Sequence, residues 1–231
     1  MLYKKIIDRI VRKSILKIGV LIQERQRDIA RITLPQFGNS PRNLTIDLPR
    51  DIVNPDRIFL GNDVCLGPGS LLIALTSYPG SSMRDPNRKK QTTQSFNSKI
   101  VIGDRVTSTA GLQIAAHSEI FIEDDTLLAS NINITDGLHG YVNANEPYKY
   151  QSIFQIAPIV IKRGSWIGQN VVIMPGVTIG ELTIIGANSV VTKSVPDKCI
   201  AVGSPAKVIK KWEESTHRWI SAPKVNVSKE S

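Results

Sequence analysis

The chain has 231 residues, with 29 Lys and Arg against 20 Asp and Glu, a net charge of +9. No uncharged apolar run reaches the roughly 18 residues that a membrane span needs, and the early charges break any signal-peptide core. An aromatic content of 6% with 16 glycines is meagre for a globular sandwich. Cys65 and Cys199 lie far apart without metal-ligand spacing, which fits two ordinary buried or half-buried thiols in a cytoplasmic protein.

The first predicted element is a helix over residues 1–31. Ile6, Ile7, Ile10, Val11, Ile15, Ile18 and Ile22 fall on helical spacings, interleaved with Lys4, Lys5, Arg9, Arg12, Lys13 and Lys17. Nine basic residues against Asp8, Glu24 and Asp28 give this segment +6. Such a helix suits peripheral contact with an anionic membrane, here the inner face of the plasma membrane. The alternative is a helix packed on the open end of the following domain or on a partner subunit. Nucleic acid is not an expected partner, because basic residues are not interleaved with aromatics on the rest of the chain.

From Ile161 an aliphatic residue recurs every sixth position: Ile161, Ile167, Ile173, Ile179, Ile185 and Val191. Two residues before the last five sit Ser165, Val171, Val177, Thr183 and Ser189, each small or branched. A helix wants spacings of three and four, and a lone strand wants alternation. A period of six means that the chain turns a corner every six residues and stacks on itself, an all-β solenoid of the parallel β-helix kind.

Earlier runs carry the same signal. Leu60, Leu66 and Leu72 form one, and Ile102, Ser108, Ile114 and Ile120 another, after which the phase slips by two to Ile122, Leu128 and Ile134. Residues 76–99 and 139–158 interrupt the repeat and read as loop excursions, which in compact folds often carry function. The expected organisation is a lead-in over 1–55, a β-helix domain over 56–203 and a C-terminal segment over 204–231. That last segment is expected to form a short helix and then a mobile tail.

The stretches Trp166-Ile167-Gly168, Pro175-Gly176-Val177-Thr178-Ile179-Gly180, Ile185-Gly186-Ala187-Asn188-Ser189-Val190-Val191-Thr192-Lys193 and Gly203-Ser204-Pro205-Ala206-Lys207-Val208-Ile209 resemble the hexapeptide-repeat acyltransferases. Within that family they are most similar to maltose, galactoside and cell-surface-sugar O-acetyltransferases. The resemblance covers roughly residues 100–210. It implies a left-handed β-helix, a homotrimer with active sites between subunits, acetyl-CoA as donor, a sugar or saccharide acceptor and no required metal.

Moving an acetyl group from a thioester to an alcohol requires a base for the hydroxyl proton. Histidine suits that task because its ordinary pKa of about 6.5 leaves it largely neutral near pH 7. His139, in Thr135-Asp136-Gly137-Leu138-His139-Gly140-Tyr141, stands where a repeat ends and the aromatic excursion begins. The resembling family has its catalytic histidine at that place, after an Asn-rich coil such as Ser130-Asn131-Ile132-Asn133-Ile134. Asp136 either orients that imidazole or caps its own turn. Asn131 and Tyr141 are candidates for the acceptor, with a corner ladder as the other reading for Asn131. His117 is read as structural, with the cleft as the alternative, and His217 as solvent-exposed.

For the donor, the resemblance implies backbone contacts at Gly168, Gln169, Ala187, Thr192 and Lys193. Trp166 would lie on the cofactor arm or fill a corner. Lys193, Lys207 and Lys210 are the candidates for the phosphates. The main rival function is N-acetylation of a nucleotide-linked amino sugar, although residues 1–55 are short for a sugar-nucleotide domain. A γ-type carbonic anhydrase needs three histidines on zinc, and only His117 and His139 lie in the repeats. A non-catalytic solenoid is the remaining alternative.

Overall fold

A computed structural model describes residues 2–79 and 93–222 of the chain, with side chains from residue 11 onward. The side chains of Ile6, Ile7 and Ile10, much of the first excursion and the tail beyond residue 222 lie outside the described residues. A single long helix, α1 (Leu2–Ile32), precedes a body built almost wholly of short parallel strands.

Those strands form three sheets that the chain visits in rotation. The first face stacks Thr45–Ile46, Cys65–Leu66, Thr107–Ala110, Leu127–Ser130, Trp166–Ile167, Ile184–Ile185 and Cys199–Gly203. The second stacks Arg50–Val53, Ser70–Ala74, Gln113–Ala116, Asn133–Thr135, Val172–Ile173 and Val190–Val191. The third stacks Ile58–Leu60, Lys99–Ile102, Glu119–Ile122, Ile159–Ile161 and Thr178–Ile179. The winding therefore starts at Thr45, some way inside the segment that the sequence suggested as lead-in. Successive coils lie one strand spacing apart, so like residues stack along the axis. Each of the six periodic aliphatics, Ile161 through Val191, is buried in one continuous core.

Coil length falls along the stack, and the last step, from Ile184 to Ile200, is the shortest at 16 residues. In the later half Ile167 pairs with Ile185 and Ile173 with Val191, steps of 18 residues. In the earlier half Ile114 pairs with Ile134 and Ile102 with Ile122, steps of 20. The slip of two at Ile122 thus reflects two extra residues at the corner between the second and third faces. Elsewhere corners are fixed by left-handed residues that repeat up the stack. At the corner between the first two faces, Gly111, Asn131, Asn170 and Asn188 all have positive φ. Asn131 donates to Asn170 at 3.2 Å and Asn170 to Asn188 at 2.9 Å, a ladder that satisfies amides at the prism edge.

The two ends are closed by different means. Residues 33–44 cover the first coil, with Phe37 buried and Leu34 and Leu44 packed on the core. The C-terminal segment corrects the expected short helix. Ala206–Glu213 folds back antiparallel on Cys199–Gly203, and Arg218–Ser221 pairs with it in turn. Trp212 meets Trp219 edge-on across that hairpin, and His217 packs on Trp212. A strand is the economical cap here, because the last coil leaves backbone N–H and C=O groups that only an extended partner can satisfy. Cys65 also departs from expectation, since it points outward and is exposed, while Cys199 is buried. Among the described residues no helix is long and apolar enough to cross a membrane.

Candidate active site

Both excursions leave from the same edge of the prism. The first departs after Ser70–Ala74 and returns at Lys99–Ile102, and the second departs after Asn133–Thr135 and returns at Ile159–Ile161. Each therefore interrupts a passage from the second face to the third. The coil between them makes the same passage with only His117 and Ser118 between its strands. The excursions thus flank one short corner, and His117 lies at its centre.

The excursions grip each other. Ser77–Tyr78 pairs antiparallel with Gln94–Ser95, and Leu138–His139 with Ile153–Phe154. The Gln94 side chain donates to the Ile153 carbonyl at 2.9 Å and accepts from the Ile153 N–H at 2.7 Å, as a strand neighbour would. Phe96 stands edge-on to the His117 ring, 5.3 Å between centroids. Gly137 lets the second excursion cross that ring, since a Cβ there would come within 2.8 Å of His117 Nδ1.

His139 sits at the junction and is exposed. Its Nδ1 lies 3.2 Å from the Tyr78 hydroxyl, and the rings meet edge-on at 5.3 Å. Tyr78 donates its single proton to the Lys149 carbonyl. The phenol oxygen can then only accept from the imidazole, which in the neutral ring assigns the proton to Nδ1 and the free lone pair to Nε2. Tyr78 is buried, which pushes its hydroxyl above the ordinary pKa of 10 and keeps it protonated. The second excursion thus supplies a histidine, and the first fixes its tautomer.

Asp136 does not orient His139. Its fully buried carboxylate accepts from the His117 N–H at 2.6 Å, the Ser118 N–H at 2.7 Å and His117 Nδ1 at 3.1 Å. This is the turn-capping alternative carried across coils, and it fixes His117 as a structural partner. Asp104 and Asp124 do the same at another edge, accepting the N–H groups of Asn62 and Asp104. Asn131 belongs to the asparagine ladder, one prism edge away from His139. Tyr141 stays near His139 on the same hairpin, 60% exposed and edge-on to Phe154 at 4.7 Å.

The candidate donor residues divide between two edges. Trp166 projects from the first face, 49% exposed, and Gly168, Gln169 and Ala187 follow at the corner between the first and second faces. Thr192 and Lys193 follow Val190–Val191 and so share the edge of His139, two coils further on. At about 4.8 Å per coil that is roughly 10 Å along the edge. Lys207 and Lys210 lie on the closing hairpin. All three lysines are exposed and without an ion pair among the described residues, whereas Lys162 and Lys198 are paired to Asp197 and Glu214. Among the described residues no group of three His, Cys, Asp or Glu side chains gathers as a metal set would.

Tyr78, Gln94 and Phe96 were not legible as site residues. They carry no periodic signal, and only the placement of both interruptions at one corner could have pointed to them.

Comparison with known proteins agrees with this architecture. Residues 158–193 match the family described as "Bacterial transferase hexapeptide (six repeats)". The chain is 36% identical over 129 residues to the "Putative lipopolysaccharide biosynthesis O-acetyl transferase WbbJ" of Escherichia coli K12, covering 53% of this chain and 66% of that protein. It is 37% identical over 116 residues to the galactoside O-acetyltransferase of the same organism, covering 50% of this chain and 56% of the other. The matches thus span between half and two thirds of those relatives. The crystal structure of AntD, an N-acyltransferase from Bacillus cereus in complex with dTDP and 3-hydroxybutyryl-CoA, shares the fold. It has a TM-score of 0.60 at 22% identity over 84% of this chain and 90% of that one. The chain thus carries a hexapeptide-repeat match over residues 158–193 and has acetyltransferases among its sequence relatives.

Proposed function

We propose that this protein is an acetyl-CoA-dependent O-acetyltransferase acting on a sugar hydroxyl in cell-surface polysaccharide biosynthesis. The observation that carries the reading is His139, exposed at the junction of both excursions with its Nε2 lone pair bare. The coenzyme supplies an acetyl thioester. His139 Nε2 takes the hydroxyl proton as the acceptor oxygen bonds to the thioester carbonyl carbon. The C–S bond then breaks, and the imidazolium returns the proton to the departing thiolate. Tyr78 holds the ring through both transfers.

The reading includes a left-handed β-helix and a homotrimer. His139 and Thr192–Lys193 stand on one edge, while Trp166, Gly168, Gln169 and Ala187 stand on or beside another. A face about 15 Å wide separates the two edges within one subunit. A cleft between neighbouring copies would bring unlike edges together, which is the argument for the trimer. The unpaired Lys193, Lys207 and Lys210 would then meet the coenzyme's phosphates. The hydroxyl is favoured over an amine because the two Escherichia coli relatives, at 36% and 37% identity, are named for O-acetyl transfer. AntD, at 22%, supports the fold alone.

The test is acetyl-CoA-dependent thiol release, screened against free sugars, lipid-linked oligosaccharides and nucleotide amino sugars. Release with a saccharide alcohol is expected, and His139→Ala should lower kcat by about 10²–10⁴-fold. Turnover only with an amino sugar would overturn O-transfer. A near-normal rate in His139→Ala would overturn the assignment of the base.

A further inference from the structure

Helix α1 leaves the body with little covering it. Every described residue from Val11 to Ile29 is exposed, and Ala30 is buried. Gln23, Gln26, Arg27 and Ala30 face the coil across a groove lined by Asp47, Leu48, Pro49 and Pro68. A helix of 31 residues spans roughly 46 Å, so most of it projects past the first coil. An isolated helix is marginal in water unless its apolar face is packed.

Six of the nine large apolar residues exposed along the described helix follow one rule, while Leu16, Val20 and Leu21 stand off it. Val11, Ile15, Ile18, Ile22, Arg25, Ile29 and Ile32 succeed one another at alternating spacings of four and three. That is the a/d seam of a coiled coil, with Ile15, Ile22 and Ile29 at a, and Val11, Ile18, Arg25 and Ile32 at d. Isoleucine at both positions favours three or four strands over two. The six aliphatic members of the seam are all between 45% and 80% exposed. The seam lies roughly a third of a turn around the helix from the residues that face the coil, at 100° per residue. Leu16 and Val20 continue the coil-facing line instead, at the same four-three spacing through Gln23, Arg27 and Ala30.

We infer that α1 is one strand of a parallel three-helix coiled coil formed with two further copies of this chain. The inference rests on the proposed trimer, whose threefold axis would bring three such helices together in register. A membrane surface would instead select a broad apolar arc with basic flanks, whereas Arg25 stands inside the apolar line. In a seam Arg25 is the one misfit, a charged residue that fixes register while weakening the assembly.

The test uses the full chain with Cys65→Ser as background, followed by sedimentation and by oxidation in the absence of lipid. Ile22→Cys should cross-link into a covalent dimer within the trimer, whereas Lys17→Cys, outside the seam, should not. Arg25→Ile should raise the melting temperature of the helical signal, and Ile15→Asn with Ile22→Asn should abolish it. A trimer in which Ile22→Cys stays reduced would overturn the helix inference while leaving the trimer intact. A monomer would overturn both. Flotation of the Cys65→Ser protein on phosphatidylserine vesicles, weakened by salt and without cross-linking by Ile22→Cys, would identify the membrane as the partner instead.

Discussion

The two halves of the prism obey the same rule of stacking, yet only the earlier one carries the excursions that hold His139. From Ile159 onward the coils step by 18 residues and, at the last, by 16. Before it they run at 20, and the two extra residues all fall at one corner. Two of those corners have expanded into excursions that reach across the third to hold His139. Regular stacking supplies rigidity and a flat edge. The irregular corner supplies a histidine with a defined tautomer.

If that division is right, damage to each half should read out differently. The largest effect expected is the loss of about 10²–10⁴-fold in kcat for His139→Ala, with little change in stability because the ring is exposed. Asp136→Ala should do the reverse. It removes a buried carboxylate that accepts three N–H groups, and should cost about 3–5 kcal/mol in urea unfolding. Its kcat per folded molecule should fall by less than about tenfold, since Asp136 does not touch His139. An activity loss as deep as that of His139→Ala, with full stability, would return Asp136 to the catalytic machinery.

The smallest effect belongs to the regular half. Asn170 has a left-handed φ of 58° and bonds both ways along the ladder. Asn170→Ala should cost about 1–2 kcal/mol, and Asn170→Gly less, because glycine restores the backbone freedom though not the amide. Equal costs would mean that the ladder bonds, and not the corner conformation, dominate there.

The same contrast explains what the sequence disclosed. Ile161 to Val191 announce their faces because each coil has only one inward pattern to satisfy. His139 stands out through its place after the Asn-rich coil, and the structure leaves it exposed where the excursions meet. The role of Asp136 was not, because its partner, His117, comes from the coil before, 19 residues back, and sequence proximity to His139 pointed the other way. Tyr78 lies 61 residues before His139 and meets it only because both excursions leave the same edge. The closing hairpin was misread as a helix because its need for a strand partner lies in the last coil and not in Lys210, Lys211 or Trp212 themselves.

The claim at the centre is that Tyr78 acts through His139, and a double-mutant cycle on kcat tests it. Tyr78→Phe should lower kcat by about tenfold in the intact protein by releasing the imidazole's tautomer and orientation. The loss should be the same at pH 7 and pH 9, because burial raises the hydroxyl above its ordinary pKa of 10. Any stability tied to that raised pKa is present below pH 10 and fades only above it. In the His139→Ala background the same substitution should change kcat by less than about twofold. An equal tenfold loss in both backgrounds would mean that Tyr78 contributes independently of His139, and would contradict the account.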